Sequence, residues 1–197
     1  MKERHALGQQ DVCRWLAGLF MQEVDEQQLQ SYFDGAADPL LRFLSQQCST
    51  PGEVAAFEDA LTELRKFENP QRVLAVDFAS LFLLDGSHNA PPYASFYSGS
   101  GNSMLGEPHD RMLARYRANN LSISIASNEP ADHIAFMLEY LGLLHSESEL
   151  DETVQDFVSC ELVTWIDLFC DRIIHGKIHS TFYPAISTLT RRYVCSL

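Results

Sequence analysis

Asn128-Glu129-Pro130-Ala131-Asp132-His133 runs directly into Ile134-Ala135-Phe136-Met137-Leu138-Glu139-Tyr140-Leu141-Gly142-Leu143-Leu144, and this stretch decides the fold. Its first six residues hold four polar side chains, Asn128, Glu129, Asp132 and His133, around Pro130 and Ala131. The next eleven place Ile134, Met137, Leu138, Leu141 and Leu144 at helical spacing, the pattern of a buried helical stripe. Pro130 is read at the N-terminus of this second helical half. Asp132 is read in the first turn, where negative charge suits the helix dipole. Adjacent residues on a helix point about 100° apart, so Asp132 and His133 are not expected to bond each other. His133 is instead expected to bond across the boundary between the halves.

On the C-terminal side, helical periodicity continues from about Glu149 to Asp171. Val154, Val158, Leu162, Trp165 and Phe169 fall on one side, and Glu149, Glu152, Asp156, Asp167 and Asp171 on the other. A last helical region, about Ser180 to Cys195, carries Phe182, Tyr183, Ile186, Leu189 and Tyr193.

The N-terminal side is helical too. Val12, Trp15, Leu16, Leu19 and Phe20 form one face, and Asp25 to Phe33 and Asp38 to Gln47 read as two short helices. Thr50-Pro51-Gly52-Glu53 reads as a capping box with proline at the first helical position, opening a helix to about Lys66. Asn69-Pro70 caps the next, which runs to about Leu84 and buries Leu74, Phe78, Leu81 and Phe82. Asp85 to Glu107 is a long loop, expected to be pinned by Tyr93, Phe96 and Tyr97. Pro108 to about Asn119 is another helix. Leu121 to Ala126 alternates apolar and polar residues but has no second strand to pair with, so it is read as an extended connector.

The fold class is therefore all-α: two helical halves, 1–120 and an acidic 130–197, joined by an extended hinge over 121–129. Each half is too small to bury much core alone, so the halves should dock. An extended hinge lets them dock within one chain or between two, which implies a monomer and a domain-swapped homodimer.

Charge is distributed unevenly. The chain carries 27 acids and 14 Lys and Arg, net -13. From Ala118 to Asp171 there is no Lys or Arg, against eleven acids. Such a field favours cationic partners and argues against nucleic acid. No apolar run reaches the roughly 20 residues that span a bilayer, so stable membrane insertion is not expected. Met1 to Gln10 lacks the apolar core of a secretory signal. Five cysteines, Cys13, Cys48, Cys160, Cys170 and Cys195, include no C-x-x-C pair and read as buried reduced thiols of a cytoplasmic protein.

Catalytic and metal signatures are sparse. His175 and His179 have helical metal spacing, but Gly176 interrupts them and no third ligand is placed nearby; His109 and His145 are weaker still. There is no nucleophile elbow, Walker A loop or dinucleotide fingerprint, and Gly99-Ser100-Gly101 is a flexible loop piece. No metal or cofactor site is expected. The enzyme alternative is a small helical catalyst using Asp132 to orient His133 as a general base.

Glu129-Pro130-Ala131-Asp132-His133 followed by Leu138-Glu139-Tyr140-Leu141 resembles the signature of the TorD/DmsD/NarJ family of molybdoenzyme maturation chaperones. Asp77 to Phe82, Pro92 to Tyr97 and Thr181 to Thr190 resemble further family segments in the same order. Pro92-Tyr93-Ala94-Ser95 and Ala131 are most similar to the TorD branch, which serves trimethylamine N-oxide reductase. The resemblance implies a non-enzymatic cytoplasmic chaperone. It would bind the twin-arginine signal peptide and apo form of a molybdoenzyme and assist molybdenum cofactor insertion before export. Dimethyl sulfoxide and nitrate reductases are the sister clients. It further implies that Asp132 and His133 bind the signal peptide, with Glu129, Pro130, Tyr93 and Phe96 completing the client site. Weak guanine-nucleotide binding is implied by the resemblance alone.

Overall fold

A computed structural model describes residues 7–48, 50–84, 86, 88–98, 105–123, 128–147 and 151–197. The apolar spacing of the N-terminal side becomes α1 (Gln9–Met21), α2 (Glu26–Phe33), α3 (Asp38–Gln47), α4 (Pro51–Leu64) and α5 (Pro70–Phe78). The chain continues through the short α6 (Ala94–Tyr97), α7 (Glu107–Ala118) and α8 (Ile134–Glu147). It ends with α9 (Asp151–Phe157), α10 (Ile166–Ile174) and α11 (Phe182–Val194). Among the described residues the only β feature is an isolated antiparallel bridge between Tyr93 and His133.

Local chemistry explains most boundaries. Asp25 accepts the Gln28 N–H at 2.7 Å and starts α2, and Asn69 accepts the Arg72 N–H at 3.0 Å and starts α5. The capping box read at Thr50 does not form: the Thr50 hydroxyl is buried and makes no cap bond. Two long helices of the sequence reading are interrupted. α5 widens into a π segment at Ala79–Leu83. The helix expected over Glu149 to Asp171 breaks into α9, a π segment at Val158–Leu162 and a turn before α10. The apolar stripe survives, because a π segment shifts register without turning the buried face outward. Val154, Val158, Leu162, Trp165 and Phe169 are all buried.

Packing crosses the boundary between residues 1–120 and 130–197 most extensively at two helix pairs. α1 lies along α8, and α11 lies along α4. Both contacts are made within one chain, and the buried apolar side chains join one core. Residues 124–127 of the connector, Glu149 and the Gly99-Ser100-Gly101 piece lie outside the described residues.

The α1–α8 contact is close because of Gly142. A Cβ there would stand 3.0 Å from the Cys13 Cβ and 3.4 Å from the Gln10 carbonyl. Glycine in a helix costs about 1 kcal/mol against alanine, so the sequence retains it for approach, not propensity. Gly142→Val is expected to destabilise the fold by about 1–3 kcal/mol through overpacking, with Gly142→Ala costing less. Urea unfolding of the two variants checks this.

Of the five thiols, Cys13, Cys48 and Cys170 are buried as expected, while Cys160 and Cys195 are exposed. Cys160 lies in the π segment Val158–Leu162, and Cys195 is the residue that follows α11.

Candidate functional site

The segment before α8 is pinned by backbone bonds to the turn before α6. Pro92 has no N–H, and its carbonyl accepts the Ile134 N–H at 2.8 Å. The Asp132 carbonyl accepts the Ala94 N–H at 3.1 Å, which completes the bridge around Tyr93 and His133. Pro130 is buried in a turn in which its carbonyl accepts the His133 N–H at 3.1 Å. Pro130 therefore precedes α8 and lies outside it, correcting its placement at a helix N-terminus.

Asp132 is fully buried and does not cap its own helix. Its Oδ2 accepts the Ser95 N–H at 2.7 Å, so its charge faces the first turn of α6. The logic of charge at a helix start holds, but the helix is another one. His133 is 4% exposed. Its Nδ1 accepts the Ala135 N–H at 3.1 Å, which puts the neutral ring's proton on Nε2. Burial pushes its pKa down to about 4, so the ring is uncharged near neutrality. Each member of the pair is spent on a backbone N–H, and the oriented base of the enzyme alternative is not assembled.

Tyr93 packs edge-on against the His133 ring, with centroids 5.2 Å apart, and its hydroxyl donates to Glu129 Oε2 at 2.6 Å. Burial first, then the bond to Glu129, pushes the phenol above its ordinary range. Tyr93, Glu129, Pro130, Asp132 and His133 are thus one constellation. Phe96 is not part of it. Its ring lies 5.0 Å under the Arg172 guanidinium of α10, which also donates to the Asn89 carbonyl at 2.6 Å.

His109 of α7 belongs to the constellation, although the sequence reading weighed it only as a weak metal ligand. Its Nδ1 accepts the Ala131 N–H at 2.9 Å. Tyr116, two turns along α7, donates its hydroxyl to the Ala131 carbonyl at 3.4 Å. A histidine near a helix start carries no sequence signal that separates a backbone acceptor from a surface residue.

An apolar groove of about 180 Å³ adjoins the segment, and Tyr116 and Phe136 reach both. Leu121 and Ile123 of the connector, with Phe136, Tyr140 and Leu143 of α8, supply its other apolar walls. Glu139 is exposed there, and among the described residues it makes no ion pair.

The acidic stretch is less bare in space than in sequence. Glu161 is 2% exposed and accepts from Arg111 and Arg115 of α7, each at 3.0 Å. Arg115 also reaches Asp156 at 3.1 Å, and Arg191 of α11 stands 3.7 Å from Asp171. Helices outside the base-free stretch bring the compensating charge.

No group of three or more His, Cys, Asp and Glu among the described residues is arranged to hold a metal ion. His179 donates its backbone N–H to Asp77 instead, at 2.8 Å. No helix among the described residues is long and apolar enough to cross a membrane.

Residues 26–171 match the family model described as nitrate reductase delta subunit. The chain is 32% identical over 189 residues to the chaperone protein TorD of Vibrio vulnificus, covering 91% of this chain and 88% of that protein. It is likewise 32% identical to the chaperone protein TorD of Psychrobacter sp., covering 92% and 86%. A crystal structure described as that of a redox enzyme maturation protein from Archaeoglobus fulgidus superposes with a TM-score of 0.56 at 18% identity, covering 98% of each chain. That likeness shows the shared fold.

Proposed function

The chain belongs to the nitrate reductase delta subunit family, the group of TorD- and NarJ-type redox-enzyme maturation proteins, and from that premise we propose that it escorts the precursor of a molybdoenzyme through its twin-arginine signal peptide. It is a chaperone and not an enzyme: its relatives bear that name over most of their length. The client we propose is trimethylamine N-oxide reductase, held in the cytoplasm until its molybdenum cofactor is in place.

The observation that carries the peptide reading is the groove between α7, the connector and α8. A twin-arginine leader is a basic stretch followed by an apolar one. The groove offers apolar walls from Leu121, Ile123, Phe136 and Leu143, with the exposed Glu139 carboxylate among them. An apolar segment in such walls and a guanidinium on a carboxylate use the two halves of the peptide separately. Asp132 is covered, so Glu139 is the first acceptor that an incoming arginine meets.

Calorimetric titration with a synthetic twin-arginine leader is the test. The leader is expected to bind, and its affinity to fall with added salt because an exposed pair is screened over about 8 Å near 0.15 M. Glu139→Gln is expected to weaken binding by about 1–2 kcal/mol. A leader with both arginines replaced by glutamine that binds as well as the original would sink the reading.

A further inference from the structure

The Asp132 carboxylate is satisfied on one side only. Oδ2 has the Ser95 N–H, but Oδ1 is buried with no hydrogen-bond partner. Beside Oδ1, at 3.9 Å, stands Nδ1 of His109. That nitrogen accepts the Ala131 N–H and so presents a lone pair, not a proton. An acceptor oxygen facing a lone pair has no proton to share, which is unfavourable in a buried place. The His109 side chain is 18% exposed and the Asp132 side chain 0%, so of the two only His109 meets solvent.

We propose that His109 is a latch over Asp132, and that a proton on His109 and an arginine of the bound peptide compete for the same carboxylate oxygen. Protonated His109 has N–H donors on both ring nitrogens. Its Nδ1 then cannot hold the Ala131 N–H, and a movement of about an ångström brings it to bonding distance of Oδ1. A guanidinium can take the same oxygen only when the ring has swung away. The two occupants exclude each other. In either case the Ala131 N–H, on a fully buried residue, loses its acceptor, so the segment 129–133 must shift. The competition with arginine rests on the signal-peptide reading; the exchange of partners at Ala131 does not.

The ionisable groups on the surrounding elements are Glu129, Asp132 and His133 in the segment and Tyr93 in the turn before α6. On α7 itself they are Glu107, Asp110, Arg111 and Tyr116. Arg111 is engaged by Glu107 and Glu161. Burial holds Tyr93 and Tyr116 above their ordinary range and His133 down at about 4. None of these three changes charge between about pH 8 and about pH 5.5, the span in which histidine is the ordinary titrating side chain.

The experiment is calorimetry of the synthetic leader across that span, on the wild-type protein and on His109→Asn. Asparagine can place its side-chain oxygen near the position of Nδ1 and keep the Ala131 bond, but it cannot titrate. Wild-type affinity is expected to fall by about fivefold or more from about pH 8 to about pH 5.5, since a ligand that binds the neutral form is displaced by the proton. His109→Asn is expected to show a flat profile. Amide exchange at Ala131, corrected for its intrinsic pH dependence, supplies a readout without peptide: protection should drop on acidification in the wild type and persist in His109→Asn. A wild-type affinity flat across the span, or an equal fall in both proteins, would overturn the competition. If the leader binds at no pH, the peptide reading fails; the exchange of Ala131 then decides the latch, loss on acidification supporting it and constant protection refuting it.

Discussion

Asp77→Ala is expected to destabilise the protein by about 3–5 kcal/mol, the cost of removing the acceptor from a buried charged network. Asp77 is fully buried on α5. Its Oδ1 accepts the His179 N–H at 2.8 Å and contacts the His179 ring Nδ1 at 2.9 Å. Its Oδ2 accepts the Ser180 N–H at 2.9 Å and the Ser180 hydroxyl at 2.7 Å. Residues 179 and 180 lead into α11, so one carboxylate ties the N-terminal stretch to the last helix. Alanine leaves two backbone donors and a hydroxyl without acceptors, each worth about 1–3 kcal/mol if it stays dry. Asp77→Asn keeps one oxygen and is expected to cost less. Urea denaturation reads both variants, and an Asp77→Ala loss below about 1 kcal/mol would mean that water reaches the orphaned donors.

The helices were legible because burial imposes a period. Val12, Leu16 and Phe20, or Ile134, Leu138 and Leu141, could hardly be arranged otherwise. What the period does not carry is the choice between α and π turns at Val158–Leu162, since both keep the same side inward. The capping box at Thr50 failed for a related reason: a four-residue pattern carries the chemistry of a cap but not whether the hydroxyl is turned into the core.

The site was legible in part, and the division is instructive. Tyr93, Glu129, Asp132 and His133 were singled out on resemblance, and they stand together. Their partners were invisible, because each comes from a distant element. His109 and Ser95 reach the segment from 22 and 37 residues away. The bare acidic stretch misled in the same way: a window along the chain counts neighbours in sequence, while Arg111, Arg115 and Arg191 act as neighbours in space. Asp77 did leave a trace. It is the lone acid between Leu74 and Leu84, in a helix otherwise bound for the core. A single carboxylate in such a run requires a donor set elsewhere, even when the sequence does not say where.

Phe57→Ala is expected to be comparably severe, at about 3–5 kcal/mol. Phe57 of α4 is fully buried. Its ring stands 5.6 Å from Trp15 of α1, 6.4 Å from Tyr32 of α2 and 5.5 Å from Phe182 of α11. Three neighbours on three helices leave little freedom to collapse onto the missing ring, so the cavity persists. Phe67, 38% exposed in the turn after α4, is the control, and Phe67→Ala should change stability by no more than about 0.5–1 kcal/mol. The position also tests how the stretches 1–120 and 130–197 unfold. α4 holds α11 and α1 holds α8, so neither stretch can leave without exposing the other's apolar face. A single cooperative transition follows. Trp15 reports on the first stretch, beside Phe57, and Trp165 on the second, stacked on Tyr97 at 5.4 Å. In single-tryptophan variants, Trp15→Phe and Trp165→Phe, the fluorescence transitions in urea are expected to coincide, and Phe57→Ala should move both midpoints together. A Trp165 transition that stays in place while the Trp15 transition moves would show that the C-terminal stretch holds its structure alone. The interleaved packing would then contribute less than its geometry implies.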